Sequence, residues 1–165
     1  NELIMNQGAR SLTDVLQNDP SVRTSLSSAG ILDQISIRGF LTFQDAFLFD
    51  GLSGFVGYGK IAARHFERIE VFKGPTGGLV GAGAFGTGAG GVINLVPKRG
   101  TERPIYAFTP YVADRDLIGG HVDVGGRFGP SNAFGVRLNV TAEDGSLFNG
   151  IEREQLTPQL ALDVR

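Results

Sequence analysis

The chain has no cysteine, no tryptophan and only one methionine. The absence of cysteine excludes disulfide staples and thiolate metal sites. No apolar run approaches the ~18 residues that a membrane helix needs. That leaves a membrane β-barrel open, because its signal is alternation and not a long apolar run. An excess of one charge is missing too: 15 Lys and Arg stand against 17 Asp and Glu, a net charge of −2. There is no basic field for nucleic acid and no acidic tail, so no nucleic-acid partner is expected. No leader with basic, apolar and small-residue regions is present, and any export signal is expected to lie outside these residues.

Glycine and phenylalanine are abundant. Glycine occurs 25 times in 165 residues, about twice the usual share of roughly 7%. Phenylalanine occurs 12 times, and 41% of the chain is apolar, enough for one folded domain or one and a part. So much glycine opposes long helices and suits turns, close-packed strands and strained loops.

The first hundred residues read as a mixed α+β unit. Residues 8–19 are expected to be a helix, with Leu12, Val15 and Leu16 on one face and Asp19-Pro20 as its stop. Ser11 is the candidate N-cap, although the third residue on is Asp14 where a capping box prefers Glu or Gln. Short strands are expected at 34–38, 46–49, 68–72 and 92–96, with Asp50-Gly51 as a tight turn and a helical turn within 61–66.

Beyond Pro97 the pattern changes to alternation. Phe134, Val136, Leu138, Val140 and Ala142 interleave with Gly135, Arg137, Asn139, Thr141 and Glu143. Val122, Val124 and Phe128 alternate with polar residues, as do Leu156, Leu160, Leu162 and Val164; Ile105 to Val112 is a shorter apolar run. Period two at this length means strands with one dry and one wet face. Gly129-Pro130-Ser131-Asn132 is a tight turn, whereas 144–152 is a longer connection. Alternation alone fits a barrel wall or a soluble sandwich equally.

Nine glycines fall between Gly74 and Gly91. The run contains two literal G-x-G-x-x-G matches, but a dinucleotide fingerprint works by opening a helix. Here the glycines lead into Val92-Ile93-Asn94-Leu95-Val96-Pro97, which reads as a strand. Nucleotide binding is therefore set aside.

At this point the residues resemble a known family. Glu67 to Arg99, ERIEVFKGPTGGLVGAGAFGTGAGGVINLVPKR, is similar to the signature of the plug domain of TonB-dependent outer-membrane receptors. Ile35 to Phe40 (ISIRGF), Leu48 to Leu52 (LFDGL) and Ser11 to Arg23 (SLTDVLQNDPSVR) resemble its other motifs, in the same order. The family's pattern departs at Lys73, where Arg is common, and at Val80-Gly81, where a tyrosine usually precedes the glycine.

The resemblance implies an α+β plug domain over residues 1–100, N-terminally incomplete. Residues 101–165 would be about four first strands of a much larger transmembrane β-barrel. It implies import across the outer membrane of a Gram-negative bacterium, not enzymatic chemistry. An extracellular ligand, most often a ferric siderophore, would bind, and the TonB complex, touching a segment absent here, would supply energy. Outer-membrane lipid would surround the wall. No cofactor is implied beyond the iron chelate carried as cargo, and no metal site is expected from the isolated His65 and His121.

The expected ligand-facing residues are Arg38, Phe43, Gln44, Phe55 and Tyr58. Arg38 would suit an anionic chelate; the alternative for it is an ion pair with barrel carboxylates. The aromatic three would form a floor for a bulky ligand, or simply pack in a Phe-rich plug. Glu67, Arg68 and Glu70 are expected in ion pairs, and Asp123, Arg127, Arg137 and Glu143 on the lumenal face. Bulky side chains at Gly83 or Gly90 are expected to impair uptake more than ligand binding. Other cargoes within the family are cobalamin, haem, a saccharide or nickel, and some members also signal to a periplasmic partner.

Overall fold

The computed structural model describes residues 2–26, 30–80, 89–113 and 115–165. The chain divides into two compact units, Asn1–Pro97 and Lys98–Arg165.

In the first unit the elements run α1 (Glu2–Asn6), α2 (Leu12–Leu16), β1 (Val22–Thr24), β2 (Ile35–Ile37), β3 (Phe40–Thr42), β4 (Leu48–Phe49), β5 (Leu52–Ser53), β6 (Phe66–Lys73), α3 (Gly77–Val80) and β7 (Gly91–Pro97). Single 3-10 turns lie at Gln44–Ala46 and Ala63–His65. One sheet has the order β1-β2-β3 and the other β5-β4-β7-β6. β7 is flanked on both sides, parallel to β4 and antiparallel to β6. All of its residues are buried, which is why that segment is almost wholly apolar. Ile93 and Leu95 meet Leu12, Leu16, Val22, Ile35, Ile37 and Phe47 in one core.

The helix is shorter than the expected span of 8–19. Gly8 has φ +61, and Ser11 pairs with Ala62 as an isolated bridge. Gly8 closes α1 in a local turn, its N–H donating to the Met5 carbonyl, while Arg10 and Ser11 are held by residues 62–63 far along the chain. Ser11 does cap α2, and Asp14 completes the capping box: the Ser11 N–H donates to Asp14 Oδ2 at 2.9 Å, and the Asp14 N–H to Ser11 Oγ at 3.3 Å. The shorter acid serves where Glu or Gln was expected. α1, α3, β1, β3 and β5 were not anticipated. Gly81 to Gly88 of the glycine run, Gly83 included, lie outside the described residues.

The second unit is a four-stranded antiparallel meander, β8 (Ile105–Ala113), β9 (Leu117–Phe128), β10 (Phe134–Ser146) and β11 (Glu152–Val164). The expected turn after Phe128 joins β9 to β10, and the longer loop 147–151 joins β10 to β11. Register is continuous from Phe134–Val164 to Ser146–Glu152.

The polarity of this sheet is inverted relative to a soluble one. Leu156, Leu160, Leu162 and Val164 are 61–72% exposed, whereas Arg137 and Asn139 are 3% and 1% exposed. A sandwich would bury the apolar face and wet the polar one. An apolar outer face with a polar inner face is the wall of a membrane barrel, which settles the choice that alternation left open. Phe128 and Phe134 stack at 5.8 Å across the turn end of that face, the position of an interfacial aromatic girdle.

Candidate functional site

The first unit's candidate ligand residues sit on three short segments: the 38–39 turn, the 43–44 stretch after β3 and the 54–58 loop. Arg38-Gly39 joins β2 to β3, with Ile37 opposite Phe40. Both turn residues have positive φ, +53 and +87, the geometry that tight hairpins favour. Gly39 adopts it freely. For Arg38 it costs about 1–2 kcal/mol, and the Arg38 N–H donation to the Ser21 carbonyl at 2.8 Å helps to hold it. The Arg38 side chain is exposed. Among the described residues it has no carboxylate partner. The hairpin thus presents a guanidinium at a strained tip.

Gln44 is placed differently from the other four. It is 2% exposed. Its Nε2 donates to the Gly59 carbonyl at 2.5 Å, and its Oε1 accepts the Gly59 N–H at 3.1 Å. The amide acts as a piece of strand edge, closing both backbone groups of Gly59. One residue away on either side, Phe43 is 41% and Tyr58 67% exposed, and Phe55 is 70% exposed. Phe40 and Leu41 are also exposed. Just before Phe43 and Gln44, Leu41 and Thr42 belong to β3, and Thr42 is buried.

A second tie lies beside the clamp. Asp33 is 1% exposed. It accepts from Lys60 Nζ at 2.9 Å, the Ile61 N–H at 2.8 Å and Thr13 Oγ1 at 3.1 Å. A buried charge needs both an opposite charge and hydrogen bonds, and Asp33 has both. Sequence reasoning passed over it. Its one signal is an acid set between Leu32 and the apolar strand that begins at Ile35.

The resemblance motifs are wired together. Arg68 Nε donates to Glu70 Oε1 at 2.6 Å, and Asn94 Nδ2 donates to Glu70 Oε2 at 2.7 Å. Asn94 Oδ1 accepts the Gly51 N–H at 2.8 Å. The hydrogen bond from Arg68 holds the Glu70 carboxyl below the usual carboxylate range, and Glu70 in turn raises Arg68. At the far end of β6, Lys73 lies 2.7 Å from Asp19. With Ser21 also donating, this holds the Asp19 carboxyl down at about 2. At Gly90 an added Cβ would meet the Ile37 carbonyl oxygen and lie 2.8 Å from Phe40 Cβ, so only glycine lets the chain approach the β2–β3 hairpin just before β7.

The second unit's polar face carries the charges expected there. Asp123 accepts from Arg137 Nε at 2.5 Å, Arg137 Nη2 at 2.8 Å and Lys98 Nζ at 2.8 Å, all buried. Arg127 donates to the Gly100, Asn132 and Ala133 carbonyls and lies 2.5 Å from Asp163. Glu143 accepts from the Tyr111 hydroxyl at 2.8 Å, and His121 shares a hydrogen bond with Thr141 at 2.9 Å. Among the described residues no group of three His, Asp or Glu is arranged to hold a metal ion. These arrangements bind and brace; they do not assemble a nucleophile and base.

Comparison with known proteins follows the same line. The sequence model of the TonB-dependent receptor plug domain matches residues 1–88, more than half of the chain, and the chain belongs to that family. It is 34% identical to the ferrichrome receptor FcuA of Yersinia enterocolitica, over 99% of this chain and 22% of that protein. It is 38% identical over 94 residues to the vitamin B12 transporter BtuB of Vibrio vulnificus, covering 53% of this chain and 15% of that protein. Among solved structures it superposes on BauA, the ferric preacinetobactin receptor of Acinetobacter baumannii. The TM-score is 0.89 at 32% identity, over 98% of this chain and 24% of that one. The chain thus spans under a quarter of the length of these relatives. They are transport receptors, not enzymes.

Proposed function

We propose that the whole protein is an outer-membrane receptor of a Gram-negative bacterium. It binds an extracellular ferric siderophore and imports it into the periplasm with energy from the TonB complex. In this reading residues 1–100 are the plug and residues 101–165 the first strands of the barrel, set in outer-membrane lipid. Ligand meets Arg38 at the β2–β3 tip and the exposed rings of Phe43, Phe55 and Tyr58.

The observation that carries this reading is that one unit bears both an exposed guanidinium with no carboxylate partner among the described residues and exposed aromatic rings on braced loops. A ferric chelate with anionic donor groups is bulky and negative. Guanidinium offers it charge-assisted hydrogen bonds, and the rings offer apolar area. The sequence likeness to a ferrichrome receptor and to a ferric preacinetobactin receptor supports the same cargo class.

The test is uptake of 55Fe-labelled ferrichrome and ferric preacinetobactin by cells whose only candidate receptor is the full-length protein, with and without functional TonB. TonB-dependent uptake of a ferric chelate, lost in Arg38→Glu, is expected. A second reading, import of cobalamin, rests on the likeness to the vitamin B12 transporter. Uptake of labelled vitamin B12 with no uptake of either chelate would replace the first reading with the second.

A further inference from the structure

We propose that Gln44 is a positioning residue, which orders the 54–58 loop so that Phe55 and Tyr58 are presented to ligand in fixed places. This rests on the reading that those two rings meet ligand.

Within the loop only Val56 is half-buried and packed against the core. Phe55, Gly57 and Tyr58 are exposed, and Gly54, Gly57 and Gly59 loosen the backbone around them. Exposed rings on a glycine-rich segment would sample many positions, and ordering each on binding costs affinity. The segment is instead fixed at its C-terminal end by two buried side chains. Gln44 satisfies both backbone groups of Gly59. Asp33 holds Lys60 and the Ile61 N–H, and Ile61 accepts the Leu12 N–H at 3.1 Å. At the other end of the loop, β5 is paired with β4. The loop is therefore short and tied at both ends.

The two ties differ in kind. Asp33 reaches into the fold's interior through Thr13 and Lys60, so its loss would unsettle the whole unit. The side-chain hydrogen bonds of Gln44 go to Gly59 at the end of the loop. Both faces of its amide are committed to Gly59, so its part in recognition runs through the rings next to the clamp. Glutamine suits this because one planar group both donates and accepts. Glutamate keeps the acceptor for the Gly59 N–H but has no donor for the Gly59 carbonyl.

The experiment uses the full-length receptor in a cysteine-free background, spin-labelled at Phe55→Cys or, as a control, at Phe148→Cys. Gln44→Ala is expected to raise label mobility at 55 and leave it unchanged at 148, with Gln44→Glu intermediate. Ferrichrome affinity is then read in a double-mutant cycle on unlabelled protein. Gln44→Ala and Tyr58→Ala are each expected to weaken binding about tenfold, the scale of one ordering cost. The double variant is expected near tenfold as well, because a ring that is no longer placed has little left to lose. A purely structural role would give a product near a hundredfold and would overturn the proposal, as would unchanged mobility at 55. If Tyr58→Ala binds ferrichrome, ferric preacinetobactin and vitamin B12 as the parent does while Gln44→Ala frees the label, the siting of ligand on this loop fails and the positioning role falls with it. If the parent binds none of the three, the ligand reading fails on its own, and mobility at 55 alone decides whether Gln44 orders the loop.

Discussion

The sharpest quantitative expectation concerns Asp123. Its carboxylate is the shared anion of two buried cations: Arg137 approaches through two nitrogens at 2.5 and 2.8 Å, and Lys98 through Nζ at 2.8 Å. The three side chains are 8%, 4% and 3% exposed. Asp123→Ala removes the anion and leaves both cations buried. Breaking a buried pair by deleting one partner costs about 3–5 kcal/mol, because an uncompensated charge stays behind. With two stranded cations, the upper half of that range is expected. Replacing all three residues together, Lys98→Met with Asp123→Leu and Arg137→Met, removes the charges with their desolvation cost. That variant should lie within about 1 kcal/mol of the parent, or above it. Urea unfolding of the full-length receptor in detergent, followed by circular dichroism and extrapolated linearly, reads both differences. A loss under about 1 kcal/mol for Asp123→Ala would mean the cations find water. A triple variant as unstable as the single one would mean that packing, not charge, sets the cost. Either result refutes the reasoning.

Three further outcomes are expected. Asp19, held at about 2 against an ordinary 3.8, adds stability that is present above pH 4 and is lost as pH falls toward 2. The difference in thermal midpoint between the parent and Asp19→Asn should therefore shrink across that window and in high salt; a constant difference would sink the assignment. Asn94→Ala leaves a Glu70 oxygen and the Gly51 N–H without their partner and should cost about 2–3 kcal/mol in the same urea assay, a loss below about 0.5 counting against it. Gly90→Val drives a side chain into Ile37 and Phe40, an overpacking cost of about 1–3 kcal/mol. Because that hairpin carries Arg38, ferrichrome binding should fall along with uptake; lost uptake at parental affinity would instead favour a purely mobile role for this glycine.

Much of the architecture was legible in the sequence because two periods are hard to disguise. The alternation from Phe134 to Glu143 foretold β10, and its partners followed from equal spacing and the turn after Phe128. The first unit was less legible because its elements are very short. β1, β3, β4 and β5 are two or three residues long, too short for any period to show. Their existence depends on partners far away in the chain. The overlong helix failed for the same reason: nothing local in Gly8 to Ser11 reports the bridge to Ala62. Among the residues expected to face ligand, Arg38, Phe43, Phe55 and Tyr58 are exposed and Gln44 is buried. A glutamine facing ligand and one clamping a backbone look identical until Gly59 is seen beside it.

The motifs that looked separate in sequence are one network in space. Glu70 belongs to the ERIEV string, Asn94 to GGVIN and Gly51 to the LFDGL turn, and a single Asn94 amide joins all three. Asp19, from NDPS, holds Lys73, from KGP. Gly90 packs on Ile37 and Phe40, the ends of the hairpin that bears Arg38. In isolation, Asn94 in a buried strand is a polar liability of about 1–3 kcal/mol. With Glu70 and Gly51 in place it becomes the bond that sets where the Asp50-Gly51 turn sits, and so where the following 54–58 loop begins. The β2–β3 tip and the 54–58 loop are thus both referred to β7 and the residue before it, one through Gly90 and the other through Asn94. Residues away from the proposed ligand contacts fix the spacing of the loops that bear them, and this accounts for polar and glycine residues that composition alone would place on the surface.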